Sequence, residues 1–512
     1  MKKIYYLVIV CSALYLASCK KDKPEEINKP PLEGTAFDKI KDSVFLYAKE
    51  VYLWNDALPS YAQFNPRGFT GSSELSILQK ELDALSQYKI NPLTGKPYEF
   101  DADNPGEAKY SFIDNGETSD VLAGNAGDFG FGIRYHSVND LRVRYVYKDS
   151  PAAKKSIRRG DQITSINGRT NLVGSLQSNI DFINVAMAGK NLAVTLKRQD
   201  GTSYDVNITR GFYSFNPVLK DTVISVSGKK IGYLVFNTFT DPDNATVYLD
   251  RAFERFTAQA ITDLVVDLRY NGGGYVTTAE YLTNLIVPPA KNGSLMYNTH
   301  YNSTLTSGKA EILKNQWRIN PENGKPYNYG QLDFSLAGNA TSFSKIGSLN
   351  INRVFFIVTG ATASSSELTI NNLLPVMNVQ LVGSTTYGKP VGFFDIKIGK
   401  YELYIPEFET RNSAGKGGYF NGMTPGSAQY PGFAAADDVT KEFGDPKEKL
   451  FGSVINFINR GSYTAFSELT RTATTSKTLS TEEPVSAEEQ NEIDARLNTR
   501  DFKGMIKENP RK

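Results

Sequence analysis

The chain has 512 residues, 40% of them hydrophobic and 22% charged, a soluble-protein balance long enough for roughly two to four domains with packed cores. Its 57 Lys and Arg against 55 Asp and Glu argue against a nucleic-acid partner, and the 12% aromatic content, mostly Tyr and Phe, reads as packing. Two cysteines and two histidines, His136 and His300, leave little scope for a zinc site or a histidine base.

Lys2 and Lys3 followed by the apolar run Ile4 to Leu16 predict a secretory signal, too short for a transmembrane helix. The run ends in Leu16-Ala17-Ser18-Cys19, which resembles a bacterial lipobox. That resemblance implies removal of residues 1–18, acylation of Cys19 and a lipid anchor at the bacterial cell envelope, on the periplasmic or surface face of the outer membrane. Cys11 leaves with the signal, so the processed chain has no disulfide and no thiolate nucleophile. Residues 19–35 read as a polar tether.

Phe37, Ile40, Val44, Tyr47 and Val51 recur at helical spacing, and Ser76 to Leu85 is a second helical stretch. Residues 36–125 are therefore expected to form a small N-terminal helical domain. The turn sequence Asn91 to Tyr98 echoes in Asn320 to Tyr327, with no function assigned. From residue 126 to 212 the texture changes to short strands. Gly130-Phe131-Gly132-Ile133, then Asp149-Ser150-Pro151-Ala152-Ala153 and Arg159-Gly160-Asp161, closely resemble a PDZ domain. The resemblance makes Gly130, Phe131, Gly132 and Ile133 the loop that takes a peptide's terminal carboxylate, beside a strand edge open to an extended peptide.

Residues 213–460 read as α/β, with the buried-strand runs Ile231 to Phe236 and Leu264 to Leu268. The tail, 461–512, is polar and charged, with helical potential over Ala487 to Leu497, and is expected to be peripheral or partly disordered. Three short features of the α/β part carry the chemistry. Asp267-Leu268-Arg269-Tyr270-Asn271-Gly272-Gly273-Gly274 is a strand entering a Gly-rich turn, which suits a phosphate loop, a plain tight turn or an oxyanion hole. Thr362-Ala363-Ser364-Ser365-Ser366-Glu367 follows the run Val354 to Val358; Ser-x-x-Glu is a common capping box, and strand–turn–helix is also the geometry that exposes a nucleophile. Lys389, in Tyr387-Gly388-Lys389-Pro390, lies 25 residues beyond Ser364 after a second strand run, Val379 to Val382. A surface lysine is the ordinary reading, but a buried one can be the base that a serine needs.

Together these features resemble the carboxyl-terminal processing, or tail-specific, serine peptidases. That family implies a multidomain α/β fold: an N-terminal helical region, a β-rich PDZ domain and a crotonase/ClpP-like core. It implies Ser364 as nucleophile, Lys389 as base, and the amides of Gly274 and Ser365 as the oxyanion hole, with no metal or cofactor. Gly422-Met423-Thr424-Pro425 is similar to its closing turn. The implied activity is endoproteolysis of exported proteins near C-termini held by the PDZ domain. Many members carry a Gln four residues after the Lys; here that residue is Phe393, so what orients Lys389 is left open. The added segment 288–345, rich in Tyr, Asn and Gly, is a candidate cover for the site. The alternatives are an inactive PDZ peptide-binding scaffold, to which the missing Gln points, and a nutrient-binding surface lipoprotein.

Overall fold

Thr35 opens the first described helix, α1 (Ala36–Val51), with a reciprocal capping box to Asp38. The computed structural model to which it belongs describes residues 29–320, 323–463, 485–498 and 501–507, so the signal and Cys19 lie outside the described residues. Among the described residues no helix is long and apolar enough to cross a membrane. Helix α1 buries Val44, Phe45, Ala48 and Val51 against Leu78, Leu82 and Leu85 of α2 (Glu74–Ser86). The same cluster runs on into Leu313 and Tyr329 of the added segment and into Val391, Phe393 and Phe394 just past Lys389. Phe112–Asp114 also pairs antiparallel with Tyr401–Tyr404. The N-terminal helices thus brace the chain that follows Lys389.

A five-stranded antiparallel sheet follows, β1 (Phe131–Ser137), β2 (Asp140–Val146), β3 (Gln162–Ile166), β4 (Asn191–Lys197) and β5 (Ser203–Thr209), in that spatial order. Helix α3 (Gln177–Met187) packs Ile180 and Ile183 onto Ile133, Leu141, Val143 and Val194. Strand β1 is an edge, with β2 as its one neighbour strand among the described residues.

The second large sheet has six strands: β6 (Val218–Val226), β7 (Lys229–Phe236), β8 (Asp263–Asp267), β10 (Arg353–Val358), β11 (Asn378–Gly383) and β12 (Gly432–Ala434). A short strand, β9 (Gly273–Tyr275), lies outside it. The order is β12-β11-β10-β8-β7-β6, parallel throughout except for the antiparallel hairpin β6–β7. Alternate residues serve opposite faces. Leu234, Phe236, Val266, Val354 and Phe356 meet α4 (Pro242–Ala258), α5 (Val276–Ile286) and α6 (Ser365–Leu373) on one side. Tyr233, Val235, Val265, Phe355 and Ile357 meet α7 (Lys449–Arg460) on the other. Such a sheet presents its loops at the C-terminal strand ends, where α/β folds hold their sites.

Two expectations are corrected here. The added segment does not form a free cover: its strand Leu295–Tyr301 pairs with Ala340–Ser342 and Phe408–Asn412, and the latter pairs with Val391–Gly392, so it buttresses the chain after Lys389. The tail is not peripheral where it is described. Helix α8 (Ala487–Leu497) buries Ile493 and Leu497 in the core of the five-stranded domain, and β13 (Gly504–Ile506) pairs with β9 while burying Met505 in the main core. A few apolar residues suffice when a groove already exists to receive them; the tail's polar composition averages them away. The two echoed turns close alike, Asn91 N–H to Lys96 C=O at 2.8 Å and Asn320 N–H to Lys325 C=O at 2.9 Å.

Candidate active site

The strands β8, β10 and β11 are neighbours, and each delivers one of the predicted features from its C-terminal end. After β8, Asn271 turns the chain: its side chain donates to Phe236 C=O at 2.8 Å and accepts Gly273 N–H at 2.9 Å. Gly274 has φ +136°, and a Cβ there would lie 2.0 Å from the Phe239 carbonyl oxygen, so only glycine fits.

After β10, Thr359 and Thr362 hydroxyls donate to the Arg269 and Leu268 carbonyls, pulling the serine turn against the glycine turn. Ala363 N–H donates to Asn271 C=O at 3.0 Å, Ser365 Oγ to Gly274 C=O at 2.7 Å, and Ser366 Oγ to Asn271 C=O at 3.0 Å. Two of the three serines are therefore spent on holding the two turns together. Ser364 is different. It stands at the N-cap of α6 with φ 58° and ψ −105°, a strained conformation for a residue with a side chain. Its Oγ is buried and has no hydrogen-bond partner among the described residues. The capping box read from sequence survives in its other arm: Ser364 N–H donates to Glu367 Oε2 at 2.8 Å.

Glu367 does more than cap. Its Oε2 also accepts Lys389 N–H at 2.8 Å, and its Oε1 accepts Gly388 N–H at 2.8 Å and the Thr386 hydroxyl. One buried carboxylate thus ties the serine turn to the lysine turn. Burial pushes its pKa up, and the hydrogen bonds from Thr386, Lys389, Ser364 and Gly388 oppose that. Sequence reading found Glu367 only as a cap, because its second set of partners comes from another strand's loop.

Lys389, after β11, is wholly buried, and burial drives its ammonium well below the usual 10.5, against the pull of Glu99, Glu367 and Glu407. Its Nζ lies 3.8 Å from the centroid of the Phe393 ring and 5.4 Å from that of Tyr110. Phe393, which stands at the position of the family's Gln, packs against the amine. Tyr110 OH donates to Gly388 C=O at 2.6 Å, so the N-terminal region fixes the lysine turn as well. Lys389 Nζ donates to the carbonyl of Lys503 at 2.7 Å, not to Ser364. Lys109, half-buried near this turn, is lowered to about 8 by desolvation.

The loop Gly130 to Ile133 lies beside a cavity of about 290 Å³ bounded by Arg144, Asn184, Leu497 and Asp501. The domain that carries it is bolted to the main core. Asp437 pairs with Arg134 on β1 and with Arg269 of the Asp-Leu-Arg turn at 2.5 Å, and Arg269 also pairs with Asp267 at 2.7 Å and Glu448 at 3.2 Å. All these groups are buried. Among the described residues there is no cluster of His, Cys, Asp and Glu arranged to hold a metal ion.

Residues 230–425 match the family model of peptidase family S41, and residues 127–209 match that of the PDZ domain. The chain is 26% identical over 287 residues to the "Probable CtpA-like serine protease" of Staphylococcus aureus (strain N315), across 55% of this chain and 48% of that protein. It is 27% identical over 187 residues to the "Carboxy-terminal processing protease CtpB" of Bacillus subtilis (strain 168), across 32% of this chain and 35% of that one. The chain thus spans about half the length of the staphylococcal relative or less of the bacillar one. The fold resembles that of the solved "Putative S41 protease" from Bacteroides fragilis NCTC 9343, with a TM-score of 0.52 and 20% identity over 85% of this chain and 99% of that one. Residues 230–425 therefore form a peptidase family S41 domain, preceded at 127–209 by a PDZ domain.

Proposed function

We propose that this protein is a serine endopeptidase that cuts exported proteins near their C-termini, with Ser364 as nucleophile and Lys389 as general base. The observation that carries the reading is the buried carboxylate of Glu367, which accepts N–H groups from both residues' backbones. It joins a strained serine, whose Oγ has no partner among the described residues, to a lysine whose burial disfavours the charged ammonium and so favours a base.

In this reading a substrate C-terminus docks at Gly130 to Ile133 and adds as a strand to the edge of β1. Neutral Lys389 takes the proton of Ser364, whose oxygen attacks the peptide carbonyl. The carbonyl's electron pair moves to its oxygen, where the amides of Gly274 and Ser365 receive it; each such donor is worth about 3–4 kcal/mol in comparable sites. The tetrahedral intermediate collapses by breaking the C–N bond, and Lys389 passes its proton to the leaving amine. Water, deprotonated by the same lysine, then releases the acyl group. The lipobox at Cys19 supports an envelope location with a membrane anchor, and Cys19→Ser should move the protein from the membrane to the soluble fraction.

The test is covalent. A fluorophosphonate should label the wild-type chain on Ser364, and Ser364→Ala and Lys389→Ala should each abolish labelling and peptide cleavage with the fold intact. A folded wild-type chain that neither labels nor cleaves would favour the inactive PDZ scaffold.

A further inference from the structure

The described C-terminal residues, 485–498 and 501–507, run through both places at which a substrate would bind. Helix α8 lies along the β1 edge. Gln490 donates to the Tyr135 carbonyl at 3.3 Å and Asn498 to the Ile133 carbonyl at 3.5 Å, while Asn184 of α3 donates to Arg496 C=O at 2.8 Å. Ile493 and Leu497 fill the apolar groove beside them. The β1 edge that an extended peptide would join is therefore already covered.

Beyond α8 the chain crosses to the catalytic turns. Asp501 pairs with Arg144, whose Nε and Nη1 are buried and otherwise unsatisfied among the described residues. Strand β13 then runs parallel to β9, with Gly504 opposite Gly273 and Met505 opposite Gly274. Gly504 N–H donates to Gly272 C=O at 2.9 Å, Phe393 N–H to Met505 C=O at 2.9 Å, and Lys507 N–H to Phe393 C=O at 2.8 Å. The segment is held on both sides by backbone, as a bound polypeptide would be. The fit is close: a Cβ on Gly272 would lie 1.8 Å from Phe502 O, and one on Gly273 2.1 Å from Gly504 O. The glycine turn is shaped to take another backbone.

The contact is also unproductive. Lys389 Nζ donates to the Lys503 carbonyl, Ser364 Oγ has no partner among the described residues, and both residues are 0% exposed. We propose that the chain's own C-terminal residues 485–498 and 501–507 are an intramolecular peptide ligand of the PDZ groove and of the cleft beside Gly272 to Gly274, holding the site latent until an incoming polypeptide displaces them. The ligand class follows from the contacts: a carboxylate for Arg144, then an extended stretch with a small residue over the glycine turn. This inference rests on the roles proposed for Ser364 and Lys389.

The test uses the full chain. Gly504→Val places a Cβ against the rings of Phe502 and Phe393 and should evict β13; Ile493→Asp with Leu497→Asp should evict α8. Hydrogen exchange at residues 504–507 reports docking, and fluorophosphonate labelling reports access to Ser364. The wild type should be protected at 504–507 and label slowly. Each variant should lose that protection and label at least about tenfold faster, and a synthetic peptide of residues 485–507 added in trans should slow it again. Released variants that label no faster than wild type, or that lose the labelling the wild type had, overturn the proposal; the segment would then complete the site rather than block it. If no form labels, the nucleophile assignment fails separately. The docking claim is then decided by the synthetic peptide: binding to the released variants, displaced by other C-terminal peptides, sustains it, and no binding overturns it.

Discussion

Glu367 Oε2 accepts the backbone N–H of Lys389 at 2.8 Å, although 22 residues and a whole β-strand separate the two in the chain. The same oxygen holds Ser364 N–H, so the relative placement of the proposed nucleophile and base rests on one carboxylate.

Replacing that carboxylate should cost both stability and rate. Glu367→Leu leaves the N–H groups of Ser364, Gly388 and Lys389 buried without an acceptor, at about 1–3 kcal/mol each before relaxation. Glu367→Gln keeps a carbonyl acceptor but turns an amide toward the remaining donors. The expected outcome is a Gln variant that folds with a lowered melting temperature and a kcat reduced about tenfold or more, and a Leu variant that is poorly folded. A Gln variant with wild-type kcat would show that Glu367 is only a cap.

As the proposed base, Lys389 acts only when neutral, so activity should be present above its depressed pKa and lost as pH falls through it. The limb belongs well below the usual lysine value. Lys389→Arg, charged up to about pH 12 or beyond, should fold and remain inactive at neutral pH. The Phe393 ring favours the charged amine, so Phe393→Leu should move the limb to lower pH, by up to about one unit. A limb moving upward, or not moving, would deny the ring that influence.

Gly274→Ala tests the proposed oxyanion loop. The added methyl meets the Phe239 carbonyl oxygen and demands φ +136°, so the loop must shift. The expected result is a loss of about 10²–10³ in kcat, the scale for removing one oxyanion donor, with KM changed little. Thermal denaturation separates this from unfolding.

Arg134 is shared by Asp437 and by Asp494 of α8. Burial raises Asp494 from 3.8 to about 6, with Arg134 and Arg144 opposing the rise and Asp437 and Asp501 adding to it. Burial would raise Asp437 too, but Arg269, Arg134 and Arg159 together hold it well below the carboxylate range. Because the docked pKa of Asp494 exceeds the free value, its contribution to docking is whole below that free value and is lost as pH rises through about 6. Protection of residues 504–507, corrected for intrinsic exchange, should therefore weaken between about pH 4 and pH 7 and level off above, and Asp494→Asn should flatten the step. A pH-independent wild type would contradict this. Asp437→Ala leaves Arg134, Arg159 and Arg269 buried without it, and should cost about 3–5 kcal/mol by denaturant unfolding.

Elements whose signals are local were legible in the chain alone. Ser364, Gly274 and the Gly130 to Ile133 loop announce themselves through small residues at strand ends, since only such residues fit the backbone those turns require. The order of strands and turns around Lys389 was legible for the same reason. Tertiary structure alone decided what surrounds that lysine: Glu367 beneath its amide, Phe393 and Tyr110 against its amine, and the N-terminal helices behind them. It also decided that Ile493 and Leu497, in a tail whose composition is polar, lie in the core of the PDZ domain, and that Gly504 lies opposite Gly273 of the glycine turn. Burial and backbone pairing across hundreds of residues leave no periodicity in the segment that undergoes them, because the matching surface is written elsewhere in the chain.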